Sequence, residues 1–163
     1  EKIVATEPFN RDALFNLAQA YNSANNFDKL LEVSLRLRAM DPLSFSALQL
    51  VALGYRGKHD QAKMLETATA LGGATVDVQV SGFAPTATGA SLTLKATGRD
   101  GRDINDRPIR AATVPVVVEF LNKDGAVVTT AEAVVPALAK DATQDVPVTV
   151  TGAGITAWRY RRK

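Results

Sequence analysis

The hydrophobic rhythm of the chain changes abruptly at Leu71-Gly72-Gly73. Before that point Leu and Ala recur every three or four residues, the period of a helix. After it Val and Thr alternate with period two, the period of a strand. The two periods belong to different elements, so the rhythm predicts an all-α part over residues 1–72 and an all-β part over residues 74–163. The fold class read from the sequence is therefore α+β in two domains. The paired glycines are expected to end the last helix and turn the chain through left-handed backbone, which glycine enters without steric cost.

Four helices are predicted. The first carries Leu14, Leu17, Ala18 and Tyr21 on one face and ends within residues 22–26. The second runs over 27–40, with Leu30, Leu31, Leu35 and Leu37, and stops at Asp41-Pro42. The third carries Leu48, Val51, Ala52 and Tyr55, and the fourth, over 60–71, carries Ala62, Leu65, Ala68 and Leu71. The first and third stripes match at a constant interval. Leu14 and Leu48, Leu17 and Val51, Ala18 and Ala52, and Tyr21 and Tyr55 are each 34 positions apart, as are Pro8 and Pro42 behind their acids Glu7 and Asp41. The small residue lets two antiparallel helices approach closely, the tyrosine fills space one turn later, and the proline closes the second helix.

A helix pair repeating every 34 residues with these residue types resembles the tetratricopeptide repeat. The family's small residue early in the second helix is Leu30 here, and its aromatic four residues later is Ser34. In the second repeat the loop after Tyr55 is expected to be about two residues shorter, with Ala62 in the small-residue place. The resemblance implies helical hairpins stacked as a segment of a right-handed superhelix. It also implies that Ile3, Val4 and Ala5 end an earlier repeat, so that the natural protein continues upstream.

Six or seven short strands are expected after Gly73, among them 75–80, 91–97, 114–121, 126–135, 144–151 and 155–161, with a long polar loop over 99–110. This number of short antiparallel strands in about 90 residues fits an immunoglobulin-like sandwich. The stretch Val118-Glu119-Phe120-Leu121-Asn122-Lys123-Asp124-Gly125, with Val127-Val128 after it, resembles the bacterial FxLYD family. Pro136-Ala137-Leu138 and Asp141-Ala142-Thr143-Gln144 resemble that family's second signature. Valine, leucine and asparagine replace the motif's phenylalanine, tyrosine and aspartate, and an immunoglobulin-like sandwich of another family fits the same strands. The FxLYD resemblance implies a non-catalytic module and an extracytoplasmic or cell-envelope location.

Most chemistry is excluded early. There is no cysteine and a single histidine, His59, which removes disulfides, thiol nucleophiles and Cys/His zinc sites. The net charge is +2; residues 1–73 hold eight basic and eight acidic side chains, and residues 74–163 hold eleven and nine. Much of the excess lies in Arg159, Arg161, Arg162 and Lys163, read as a solvated tail rather than a nucleic-acid stripe. No apolar run reaches the ~18–20 residues of a membrane helix, and Glu1-Lys2-Ile3-Val4 opens no signal peptide.

Four further features carry a functional and a plain reading. Gly152-Ala153-Gly154-Ile155-Thr156-Ala157 fits a dinucleotide fingerprint, but a strand-like segment follows it where a helix is needed. Asp100, Asp103 and Asp106 are spaced unlike a calcium loop and interleaved with Arg99, Arg102 and Arg107. His59 sits in a turn with no serine or acid partner in a recognisable pattern, and Asp60 beside it suits a helix cap. Trp158 and Tyr160, alternating with Arg159 and Arg161, read as an inward pair completing the sandwich core with the arginines outward, the other reading being an exposed aromatic platform. No catalytic residue, metal or cofactor is therefore expected.

The leading expectation is a non-enzymatic interaction protein binding a peptide or protein. The repeat resemblance places Asp12, Phe15, Gln19 and Asn22 on a concave groove from the first repeat, and Ser46, Gln49, Leu53 and Arg56 from the second. Such a mixture of polar residues and apolar anchors suits an extended peptide. Of a carboxylate clamp found in some relatives only Asn22 and Arg56 have counterparts, so that activity is not expected. The alternative is a structural component of an envelope assembly, in which the helices dock on the sandwich and bind no separate ligand.

Overall fold

A computed structural model of the chain describes residues 7–163; the expected helix end at Ile3, Val4 and Ala5 lies outside the described residues. Among the described residues four helices, α1 (Arg11–Ser23), α2 (Phe27–Met40), α3 (Phe45–Gly57) and α4 (Gln61–Gly72), precede six strands. These are β1 (Val76–Pro85), β2 (Gly89–Gly98), β3 (Val114–Leu121), β4 (Val127–Val135), β5 (Thr143–Thr151) and β6 (Ala157–Arg162). The fold is α+β.

Each helix opens on a short polar residue whose side chain accepts a hydrogen bond from the backbone three positions on. Asn10 accepts from Ala13, Asn26 from Lys29, Ser44 from Ala47 and Asp60 from Lys63. Each such cap satisfies one donor the helix cannot, worth ~1 kcal/mol. The caps also repeat at the 34-residue interval, Asn10 with Ser44 and Asn26 with Asp60. So do the turns between helices. Asn25 (φ 55) and His59 (φ 57) both take left-handed backbone. The amide of Asn26 donates to the Tyr21 carbonyl at 2.9 Å, and that of Asp60 to the Tyr55 carbonyl at 3.1 Å.

This backbone identity corrects the expected shortening after Tyr55. The second turn has the length of the first, α4 starts 34 residues after α2, and Met64, not Ala62, takes the place of Leu30. The turn length is set by backbone hydrogen bonds that ignore the side chains, so side-chain matching misplaced the register. The expected α4 face shifts accordingly: Thr67 is buried, Met64 and Leu71 are half-buried, and Ala62 and Leu65 are exposed. Gly72 and Gly73 also behave differently from expectation, because neither is among the residues with positive φ. What Gly73 allows is close approach: a Cβ there would lie 3.3 Å from Ile109 and 3.2 Å from the Thr69 carbonyl. The amide of Arg102 meanwhile donates to the Gly72 carbonyl at 2.7 Å.

Leu14, Ala18, Leu30, Val33, Leu37, Met40, Ala47 and Leu50 form the helical core. Ser34, in the family's aromatic place, is fully buried and donates to the Leu31 carbonyl at 3.2 Å. A Cβ on Gly57 would fall within 2.4 Å of three ring carbons of Phe27, so the missing side chain seats that ring.

The strands form two three-stranded antiparallel sheets, ordered β1-β2-β5 and β4-β3-β6. Their inner faces share one core, with Leu92 and Leu94 from one sheet and Val116, Val118, Phe120 and Tyr160 from the other. β3 is apolar on both sides because it is the middle strand: Val117 and Leu121 are buried as well. The terminal cations are not a free tail. Arg159 and Arg161 lie on β6 and pair with Glu119 at 2.7 and 3.3 Å, and Lys163 pairs with Glu132 at 2.8 Å.

Helices and sheets meet along a bonded seam. Leu43, in the connection between α2 and α3, is buried in the core of the sheets. Its amide donates to the Tyr160 hydroxyl at 3.2 Å, and its carbonyl accepts from Val78 at 3.1 Å. Next along the chain, the amide of Phe45 donates to Asp77 at 2.8 Å. The connection thus covers the outer edge of β1 and plugs the sheet core in three residues.

Candidate functional site

Three helices leave an apolar groove between them, about 400 Å³ in volume. Phe15 and Gln19 stand one turn apart on α1, and Ser46, Gln49, Leu53 and Arg56 follow at three- and four-residue steps on one face of α3. Met64, Ala68 and Leu71 close the groove from α4 with the same spacing. All lining residues belong to α1, α3 and α4, so the sheets contribute nothing to its walls.

Six of the eight residues singled out in the sequence come together here. Asp12 and Asn22 do not. Asp12 lines an adjoining cavity beside the seam, with Arg11, Asp41 and Tyr160, which shares Phe15 and Ser46 with the groove. Asn22 is half-buried near the end of α1, where its carbonyl accepts from Asn25 at 3.1 Å. The α4 wall was missed because only the first helix of each pair was assigned to the groove. The steps from Met64 to Ala68 to Leu71 were a readable signal for it.

Among the described residues the groove is lined by a single charge, the exposed Arg56. It sits in the last turn of α3, where a cation complements the negative end of the helix. Apolar walls, two amides, one hydroxyl and one guanidinium can grip an apolar segment and orient its backbone or an acid. The groove holds no nucleophile–base pair.

The remaining candidates resolve individually. His59 is exposed in the α3–α4 turn, and Asp60 caps α4. Arg102 pairs with Asp100 at 3.2 Å and Asp106 at 3.4 Å, while Asp103 accepts from the amides of Asn105 and Arg107. Among the described residues no cluster of His, Asp and Glu is arranged to hold a metal ion. Gly152 and Gly154 lie in the turn between β5 and β6, and a strand follows them. Trp158 and Tyr160 are 3% and 1% exposed, stacked with centroids 6.3 Å apart, so this pair faces the core. Burial pushes the Tyr160 phenol well above its ordinary range. No helix among the described residues is long and apolar enough to cross a membrane.

Compared with known families and with curated proteins, the chain matches no family model and no curated relative.

Proposed function

We propose that the chain is a non-catalytic interaction module: two tetratricopeptide-type hairpins presenting a peptide-binding groove, followed by an immunoglobulin-like sandwich of FxLYD type. The observation that carries this reading is the convergence of Phe15, Gln19, Ser46, Gln49, Leu53 and Arg56 on one apolar groove. The 34-residue interval in caps and turns supports the repeat assignment. The strand orders β1-β2-β5 and β4-β3-β6 agree with a sandwich in which the chain crosses between sheets. The partner is a protein or peptide segment with apolar side chains and an acidic group for Arg56; an envelope location belongs to the same proposal.

Replacing Arg56 by glutamate tests the groove. The side chain is exposed and outside the packing stripes, so the fold should lose ~1 kcal/mol, chiefly from the reversed charge at the helix end. Partner capture from native extract should weaken while the variant still melts cooperatively, only slightly below the native chain. Identical partner profiles for both versions would reject the groove as the binding site.

The seam favours a second reading, in which the helices dock on the sandwich and form one structural unit of an envelope assembly. Arg11, Leu43 and Phe45 all bond across that seam. In this reading Arg56→Glu changes no partner, whereas breaking the seam disrupts assembly.

A further inference from the structure

A larger cavity of about 600 Å³ opens where α2, α3, β1, β6 and the loop between β2 and β3 meet. It shares no lining residue with the groove. Its walls include Leu43, Phe45, Leu48, Val76, Ile109 and Val114, and its charged residues are Arg38, Arg110 and Arg162. Among the described residues no Asp or Glu lines it.

This arrangement is electrostatically incomplete. Among the described residues, Nη1 of Arg38 is buried with no hydrogen-bond partner. The Arg99 guanidinium, outside the cavity lining, stacks 3.5 Å from the Phe45 ring centroid, and its Nε is buried and unpartnered as well. Elsewhere in the fold, Arg11, Arg102, Arg159 and Arg161 all meet carboxylates. A buried guanidinium N–H without an acceptor is costly, and like charges around one cavity repel. Arg38 comes from α2, Arg110 from the loop and Arg162 from β6, so folding itself brings them together. A guanidinium fork matches carboxylate and phosphate oxygens, so an oxyanion is the group that three arginines without a lining acid call for. The apolar walls then take the body to which the oxyanion is attached, and the volume lies within the range of small-molecule sites.

We propose that this cavity binds a small amphiphilic anion, with a carboxylate or phosphate head held by Arg38, Arg110 and Arg162 and an apolar body against Leu48, Phe45 and Ile109. Bound there, the ligand touches both helices and sheets and stabilises the seam between them.

Calorimetric titration of the whole chain with octanoate, octyl phosphate, 1-octanol and inorganic phosphate tests this. The two amphiphilic anions should bind at least tenfold more tightly than 1-octanol, and octyl phosphate more tightly than inorganic phosphate. Arg38→Gln should weaken both amphiphilic anions tenfold or more and leave 1-octanol unchanged. The exposed Arg162→Gln should weaken them about threefold, and it keeps the test decisive if the Arg38 variant does not fold. Absence of anion binding at millimolar concentration, equal binding of octanol and octanoate, or unchanged affinity in a folded Arg38 variant would overturn the site. So would unchanged affinity in the Arg162 variant when that of Arg38 cannot be read. Inorganic phosphate binding as tightly as octyl phosphate would overturn the role of the apolar walls.

Discussion

The guanidinium of Arg11 lies 3.4 Å from the centroid of the Trp158 ring and donates a hydrogen bond to the Trp158 carbonyl at 2.9 Å. The same side chain forms a two-pronged pair with Asp41, at 2.7 and 3.0 Å. One arginine from the start of α1 therefore ties the closing loop of α2 to the last strand. Both members of the ion pair are largely shielded, with side chains 19% and 14% exposed. Burial pushes the Asp41 carboxyl above its ordinary range, and the charge and hydrogen bond of Arg11 only partly oppose it.

Removing Arg11 leaves Asp41 shielded and uncompensated. Arg11→Ala should cost ~3 kcal/mol, the range for breaking a buried pair from one side. Without its cation the Asp41 carboxyl rises further, so protonation stabilises the variant and the deficit shrinks as pH falls into the carboxylate range. Adding Asp41→Asn should restore part of the loss at neutral pH. Denaturant titrations at neutral and acidic pH measure all three. A deficit independent of pH would show that Asp41 is not the group left exposed to the penalty.

Leu43 couples the two halves through packing rather than charge. It is 5% exposed within the core of the sheets, so Leu43→Ala should cost ~2–5 kcal/mol. The loss should appear in the melting of the strands although the substitution lies between helices. For the same reason fragment 74–163, which keeps its own aromatics, should melt cooperatively but at a lower temperature than the whole chain. Fragment 1–73, with two helix pairs and few neighbours to stack on, should melt broadly. Circular dichroism of the three chains decides this, and equal melting temperatures for 74–163 and the whole chain would remove Leu43 from the stabilising seam.

Glu119 sets an acid limb on stability. The hydrogen bond from Arg159, helped by Arg161, holds its carboxyl below the ordinary 4.5. A carboxylate lowered in the folded state adds stability that is full above that ordinary value and is lost as pH falls through the lower folded value. Its arginines are largely exposed, so the gain is ~0.5 kcal/mol. Glu119→Gln should therefore be slightly less stable than the native chain near neutrality and indistinguishable from it in acid. A gap that widens on acidification would contradict the assigned pairing.

Much of the local structure was readable from the order of residues. The helix boundaries at Phe27 and Met40, the middle strand over Val114–Leu121 and the inward Trp158 and Tyr160 follow from periodicity and polar caps, which act over four residues or fewer. The repeat resemblance placed Phe15, Gln19, Ser46, Gln49, Leu53 and Arg56 on one groove, and the structure brings these six together. The resemblance placed Asp12 and Asn22 there too; the exposed Asp12 instead lines the adjoining cavity that shares Phe15 and Ser46, and Asn22 lies half-buried at the end of α1. The register of α4 was misread because backbone geometry, not side-chain type, sets the turn at His59.

What only the tertiary structure decided involves partners far apart in the chain. Arg11 and the Trp158 carbonyl are 147 positions apart, and Leu43 and the Tyr160 hydroxyl 117. Arg38, Arg110 and Arg162 share a cavity although no motif joins them. Periodicity reports which face of an element is apolar, and it carries no term for which other element covers that face. That choice depends on shape, on buried charge finding a counter-charge and on edges finding hydrogen bonds, and these are settled only when α-helices and sheets pack together.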